Sequence, residues 1–270
     1  MSQFRILVTG ASGFIGSHFI SASRQRGHLV VALSRQGSDI AEASQSFRWS
    51  LGEKLPPDVC QPFDCTIHLA HDFDGVEGAQ KTVEGTLAAM ETLRMAGVRR
   101  QLFFSSLSSG SHATSLYGKT KLNIERHVVD KPDVMIIRPG LVLGEGGIYG
   151  RIRQWVYRLP IIPLPDGGHG KVPIIGIEHL IEQTLSILSM KMDIREFNLF
   201  EPELRTLRQL ILDEAKKVRR KVLIIAVPSR FLLILLNCLE WLRIPLPIKA
   251  DNLIGFVANQ SVTYQPTIPG

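Results

Sequence analysis

The chain has 270 residues, 44% of them hydrophobic and 21% charged, an ordinary globular composition that excludes intrinsic disorder, collagen and low-complexity scaffolds. Its 31 Lys and Arg against 25 Asp and Glu leave a charge of +6 at pH 7, which suits anionic small molecules, nucleic acid or a membrane surface and selects none of them. The surplus is scattered in pairs such as Arg99-Arg100 and Arg219-Arg220, so no nucleic-acid partner is expected.

The first half alternates short β-branched runs with helix-like segments, the pattern of a parallel sheet with helices on its faces. Strands are predicted at Phe4–Val8, His28–Leu33, Cys65–Ala70, Gln101–Ser105 and Val134–Arg138, with helices at Phe14–Arg26, Gly75–Ala96 and Leu116–Val129. Gly27 and Gly97 stand where helices should stop. Between Gly37 and Pro62 the weaker pattern predicts one short helix and one short strand around Arg48–Leu51. From Pro139 to Gly170 glycines and prolines crowd together, which reads as loop around a helix at Ile148–Arg158. Beyond it the pattern predicts strands at Val172–Ile175, Glu196–Phe200 and Val222–Val227. Helices are predicted at Glu178–Met190, Thr206–Val218, Phe231–Leu242 and Ala250–Ala258. The expected fold is α/β, a doubly wound parallel sheet with a smaller C-terminal lobe interleaved with it.

Cys60, Cys65 and Cys238 are odd in number and lack a C-x-x-C, which predicts buried free thiols, no disulfide framework and no metal site. The strand-like run from Phe4 argues against a signal peptide, and a reducing, cytoplasmic setting is expected. The greasiest stretch, Val222 to Ile244, is broken by Pro228, Arg230, Glu240 and Arg243, short of the ~18 apolar residues of a spanning helix. No transmembrane segment is expected. Packing under the C-terminal lobe is the ordinary explanation of the apolar helix at 231–242, and peripheral docking on a membrane or a partner is the sharper alternative.

Directly after the first strand comes Thr9-Gly10-Ala11-Ser12-Gly13-Phe14-Ile15-Gly16. Gly10 permits a tight exit from the strand, Gly13 lets backbone approach a pyrophosphate, and Gly16 lets the helix pack on the sheet. The free N–H groups and dipole of the following helix favour that phosphate, so the whole turn, with Ser12, Phe14 and Ile15, is a candidate dinucleotide site. Ser34 and Arg35 close the second strand where an NAD-preferring protein would carry an acid for the ribose diol. A guanidinium suits a 2′-phosphate, so NADP is preferred over NAD.

Tyr117 and Lys121 lie four apart on a predicted helix, hence on one face. An ammonium near a phenol favours the phenolate, the tuning an acid/base at neutral pH requires. The strand just before ends in Phe103-Phe104-Ser105-Ser106, whose hydroxyls could hydrogen-bond a carbonyl or carbinol oxygen.

These motifs resemble the extended short-chain dehydrogenase/reductases, the group of nucleotide-sugar epimerases, dehydratases and ketoreductases. The resemblance runs through TGASGFIG at 9–16, IHLAH at 67–71, VEGTLAAMETLRMAGV at 83–98, FFSSLSS at 103–109, YGKTKLNIE at 117–125, IIRPGLVLG at 136–144 and FNLFEPELRTLRQL at 197–210. It implies Tyr117 as acid/base and Lys121 as the residue that holds the nicotinamide ribose and lowers the tyrosine pKa. It implies Ser106 as the substrate-polarising hydroxyl, with Ser105 as fallback. His68, Leu69 and Ala70 would line the cofactor, with His71 beside them, and Pro139, Gly140, Leu141 and Val142 would lie by the nicotinamide. The resemblance further implies a homodimer through the helices at 75–96 and 116–129. Departures are the eleven-position spacing of Ser106 and Tyr117, the lack of an acid at Ser50-Leu51-Gly52, and Ile177-Glu178-His179-Leu180 where relatives carry a V-D-D-like segment.

Arg151, Arg153, Arg158, His169 and Lys171 surround the Gly/Pro-rich stretch, and Arg151 and Lys171 are taken as candidates for gripping an anionic substrate. The expected organisation is a dinucleotide-binding domain over 1–145, with 172–200 returning to it, and a substrate lobe mainly over 146–270. The expected function is an NAD(P)-dependent oxidoreductase or epimerase working at a carbinol or ketone carbon of a nucleotide sugar. A non-catalytic NADP(H)-binding module is the alternative.

Overall fold

The computed structural model describes residues 3–37, 40–190, 194–242, 248–259 and 262–267. The chain forms two compact units, one of residues 1–106, 119–138 and 177–197, the other of residues 107–118, 139–176 and 198–270.

The first unit begins with β1 (Arg5–Thr9), α1 (Phe14–Gln25), β2 (Leu29–Ser34) and β3 (Gln45–Arg48). It continues with β4 (Cys65–His68), α2 (Gly75–Met95) and β5 (Gln101–Phe104). The helix α3 (Leu116–Val128) leads to β6 (Val134–Pro139). In the second unit follow β7 (Leu141–Leu143), α4 (Gly147–Arg158), β8 (Ile161–Pro165), β9 (Lys171–Val172) and β10 (Ile174–Gly176). The chain then adds α5 (Ile177–Leu188) and β11 (Glu196–Leu199), and ends with β12 (Arg205–Thr206), α6 (Leu207–Lys217), β13 (Leu223–Val227), α7 (Ser229–Trp241) and α8 (Ala250–Asn259).

Seven strands form one sheet in the order β11-β6-β5-β4-β1-β2-β3. From β6 to β3 every neighbouring pair is parallel. Both faces are covered, which is why Ile6, Leu7 and Val8 are all buried and the strands read as continuous apolar runs. On one face Leu7, Val31, Leu33 and Val59 pack against Ala89, Leu93 and Val98 of α2 and its exit. Met90, Phe103, Ile124, Val128, Val134 and Ile136 join α2 and α3 to β5 and β6. The helix α1 lies beside α5. Gly27 (φ 79°) and Gly97 (φ 97°) take left-handed conformations, and His28 N–H and Val98 N–H donate back to Ser23 O and Leu93 O, so both helices stop where the glycines predict. The order turns outward in opposite directions from β1 and β4, which places the topological switch point at their C-terminal ends.

Several expectations change. The strand near Arg48 spans Gln45–Arg48, and the helix expected between Gly37 and Pro62 reduces, among the described residues, to one 3₁₀ turn at Pro57–Val59. The single strand expected over Val172–Ile175 is two, β9 and β10. Pro173 separates them because it has no N–H for a ladder. The strand β9 pairs antiparallel with β12, and β10 pairs parallel with β7. The loop-like stretch after Pro139 also contains β7 and β8, and β8 pairs with β13. Cys65 is buried as expected, but Cys60 and Cys238 are exposed. In the second unit Ile152, Val156, Ile162, Leu164, Leu207 and Ile211 form the core under α4, α6 and the β8–β13 ribbon.

Candidate active site

The switch point is built from Thr9 outward. The Thr9 hydroxyl accepts from the N–H groups of Leu69 (3.2 Å) and Ala70 (3.3 Å), and Leu69 N–H also donates to Thr9 O. The two strand exits are thereby tied together. Gly10 follows with φ 69°, and a Cβ there would lie 2.7 Å from Ala70 N, so only glycine fits. A Cβ at Gly16 would meet Gly10 O at 2.5 Å, which fixes the close approach of α1 to the turn. Gly13 is the N-cap of α1, with no side-chain cap and no acidic residue in the first turn, and Ser12 and Gly13 are exposed. That leaves a positive, accessible helix end beside glycines, the donor set that suits a pyrophosphate.

At the neighbouring strand end, Ser105 N–H donates to Ile137 O (2.7 Å). Ser105 is 3% exposed, and its hydroxyl has no hydrogen-bond partner among the described residues. Lys121 is likewise 3% exposed. Its ammonium donates to Phe104 O (2.7 Å) and stands 4.9 Å from the centroid of the Phe103 ring. Burial lowers its pKa to about 8, with Glu125 pulling the other way. The imidazole of His71 packs edge-on to Phe73 and is held at about 3 by burial, with the Lys121 charge adding to the effect. His68 is buried, donates or accepts at 2.9 Å with Gln101 Oε1, and is held at about 4 by the same cause.

The helix α3 carries Tyr117 in its first turn and Lys121 one turn later. Its first N–H groups are met by side chains. Asp251 accepts from Leu116 N (2.6 Å) and Tyr117 N (3.1 Å), and Ser115 Oγ accepts from Gly118 N (3.1 Å). Further along, Glu125 binds Arg138 in a two-pronged pair (2.9 and 2.7 Å), which Glu196 joins. Glu125 of the 117–125 motif and Arg138 of the 136–144 motif thus hold α3 on β6.

In the first unit the fold thus brings together Gly10, Gly13, Gly16, Leu69, Ala70, His71, Ser105 and Lys121 along adjoining strand ends. Phe14 and Ile15 open α1, and Ser106, half-buried, follows Ser105. Ser34 is buried and its hydroxyl accepts from Gly37 N–H (3.2 Å), whereas Arg35 is exposed. Tyr117, Pro139, Gly140, Leu141, Val142, Arg151 and Lys171 belong to the second unit. There Pro139 ends β6, Gly140 N–H donates to Leu199 O, and Leu141 and Val142 lie in β7 opposite Ile174 and Ile175. Arg151 and Lys171 are exposed. Arg153 is engaged with buried Glu214 (2.8 Å), Glu145 and Tyr157. Sequence reasoning missed Thr9 and Asp251. Thr9 is the last strand residue before the glycines, a legible position, but nothing near Tyr117 in sequence points to Asp251.

Against known families, the model of the NAD dependent epimerase/dehydratase family matches residues 6–158, more than half of the chain. The chain belongs to that family. A 3-diazoavenalumate denitrifying reductase of Streptomyces is 27% identical over 216 residues, 66% of this chain and 69% of that protein. A 3 beta-hydroxysteroid dehydrogenase/Delta 5→4-isomerase of Mycobacterium tuberculosis is 29% identical over 178 residues, 53% of this chain, and the match spans 48% of that relative's length. Among solved structures, MoeE5 in complex with UDP-glucose and NAD superposes with a TM-score of 0.69 at 23% identity, covering 83% of this chain and 85% of MoeE5. That likeness shows the Rossmann-type fold, and the family relatives imply an NAD-dependent enzyme. Among the described residues, no helix is long and apolar enough to cross a membrane, and no cluster of side chains could hold a metal ion.

Proposed function

We propose that this family member is an NAD(P)-dependent oxidoreductase or epimerase acting at a carbinol or ketone carbon of a nucleotide sugar. The turn from Gly10 to Gly16 and the exits at Leu69 and Ala70 hold the dinucleotide, and the bare, uncapped end of α1 is what fits its pyrophosphate. When bound, the nicotinamide supplies the hydride donor or acceptor.

The chain's own residues manage the proton and the oxygen. Tyr117 Oη gives up or takes the hydroxyl proton. Ser106 polarises the substrate oxygen, with the buried hydroxyl of Ser105 as the fallback. The observation that carries this reading is the ammonium of Lys121, buried and pushed down to about 8, one helical turn from Tyr117. A cation in a poorly solvated place stabilises a phenolate more than one in water does. The nucleotide-sugar class rests on the resemblance and on the UDP-glucose complex of MoeE5.

Arg35, exposed at the end of β2 with no acid in its place, supports NADP over NAD. Titrating NADPH and NADH fluorescence checks this. Arg35→Asp should weaken NADPH at least about tenfold and leave NADH unharmed. Equal affinities in the wild type would remove the preference. For the chemistry, Tyr117→Phe should lose turnover of a nucleotide-sugar panel by at least ~100-fold with dinucleotide binding intact. Near-normal turnover in that variant would refute the acid/base role. A wild type that binds dinucleotide and converts no member of the panel would instead point to the non-catalytic module.

A further inference from the structure

The second unit carries an apolar face that its own core does not use. Along α7, Phe231, Ile234, Leu235, Cys238, Trp241 and the cap residue Leu242 follow one another at i, i+3, i+4, i+7, i+10 and i+11, one stripe of a helix. All are exposed, Phe231 by 58% and Trp241 by 82%. The opposite side, Leu232 and Leu236, packs on Ala250 and Leu253 of α8, so the helix is anchored and the stripe is left to the outside. The ribbon before α7 also exposes apolar side chains. Leu223 and Ile225 of β13 share one face with Ile161 of β8, the register partner of Leu223, and all three are exposed.

The approach to this ribbon is cationic. Lys216-Lys217-Val218-Arg219-Arg220-Lys221 places five cations in six residues immediately before β13, a denser cluster than the pairwise scatter suggests. Arg158 precedes β8, whose start is tied to that of β13 by Leu223 N–H donating to Pro160 O. Among the described residues, Arg158, Arg219, Arg220 and Lys221 are exposed and make no ion pair, whereas Lys217 pairs with Glu214. Two nearby acids have hydrogen-bond partners of their own. Asp166 accepts from Ser229, and Glu240 accepts from Ala250 N–H. Arg230 stacks over the Phe231 ring at the start of the stripe.

We infer that α7 is an interfacial helix that lays its Phe231–Trp241 stripe into an anionic lipid surface, with the 216–221 cations binding the headgroups. Apolar area combined with adjoining Lys and Arg is the composition that binds such a surface, and tryptophan favours the headgroup level. A second copy of the chain is a poorer occupant, because a two-fold contact through this face would set the same cations against each other.

Co-sedimentation of the full chain with vesicles of phosphatidylcholine alone, or of phosphatidylcholine with phosphatidylserine, tests this. The protein should pellet with the phosphatidylserine vesicles at low salt and be released by high salt. Neutralising Arg219, Arg220 and Lys221 to Ala should weaken binding on the order of 100-fold. Leu235→Glu should abolish it. Both changes are on the surface, so circular dichroism and dinucleotide binding should match the wild type. A wild type that stays in the supernatant would overturn the inference, as would variants that pellet like it. So would concentration-dependent self-association, seen by sedimentation velocity without lipid and removed by Leu235→Glu.

Discussion

Asp251, at the start of α8, caps the helix that carries Tyr117, its two carboxylate oxygens accepting from the N–H groups of Leu116 and Tyr117. A negative charge at a helix N-terminus answers both the unmet donors and the dipole. Asp251→Ala should therefore cost about 1–2 kcal/mol in urea unfolding, and Asp251→Asn about half of that. The lost cap also frees the turn holding Tyr117, so kcat of the proposed reaction should fall more than KM rises. An alanine variant as stable as wild type would show that Ser115 alone suffices.

Gly10→Ala introduces a methyl group 2.7 Å from Ala70 N, at a φ of 69°. The atoms it meets, Ala70 N, Leu69 C and Ala70 Cα, are all backbone at the exit of β4, so none can turn aside. A loss of about 2 kcal/mol or more is expected. Dinucleotide affinity should fall with it, because the turn must shift away from Leu69 and Ala70. Calorimetric unfolding with and without NADPH reads both effects.

The elements of the first unit were legible because a sheet covered on both faces writes itself as β-branched runs between glycine-stopped helices. The exits of β1 and β5 were legible for the same reason, since glycines and serines stand at strand ends. What the sequence hid was pairing at a distance. Asp251 reaches α3 from 134 positions away, and Arg153, which looks like a substrate cation, is engaged by Glu214. Pro173 splits a plausible strand because the ladder cannot use its missing N–H. The exposure of Cys60 and Cys238 depends on which helix and turn faces are covered, which composition does not encode.

Acid sensitivity should have a histidine component. His68 sits in a buried chain in which Gln101 also donates to Asp133 (2.9 Å) and Met90 O. Its folded pKa is about 4 against 6.5 in the unfolded chain, so between these values the unfolded state binds the extra proton. The stability present above pH 6.5 is lost as pH falls towards 4, by up to roughly 3 kcal/mol. His71, lowered to about 3, adds in the same direction. His68→Asn should be less steep over that window in urea melts at stepped pH. Parallel curves for variant and wild type would show that His68 does not carry the effect.

Lys121 sets stability against the proposed chemistry. Its ammonium is buried with a folded pKa of about 8, while the unfolded chain holds its proton up to about 10.5. Below pH 8 both states are protonated, and the folded state bears the whole cost of the buried charge. That cost is relieved as pH rises from 8 to 10.5. Lys121→Met should therefore be more stable than wild type at pH 7, by up to roughly 3 kcal/mol less the hydrogen bond to Phe104 O. The advantage should shrink towards pH 10.5. The same variant should lose the proposed turnover, the usual exchange between stability and a strained functional group. A Lys121→Met protein that is less stable than wild type at pH 7 would mean that the bond to Phe104 O outweighs the desolvation, and that Lys121 is held for structure.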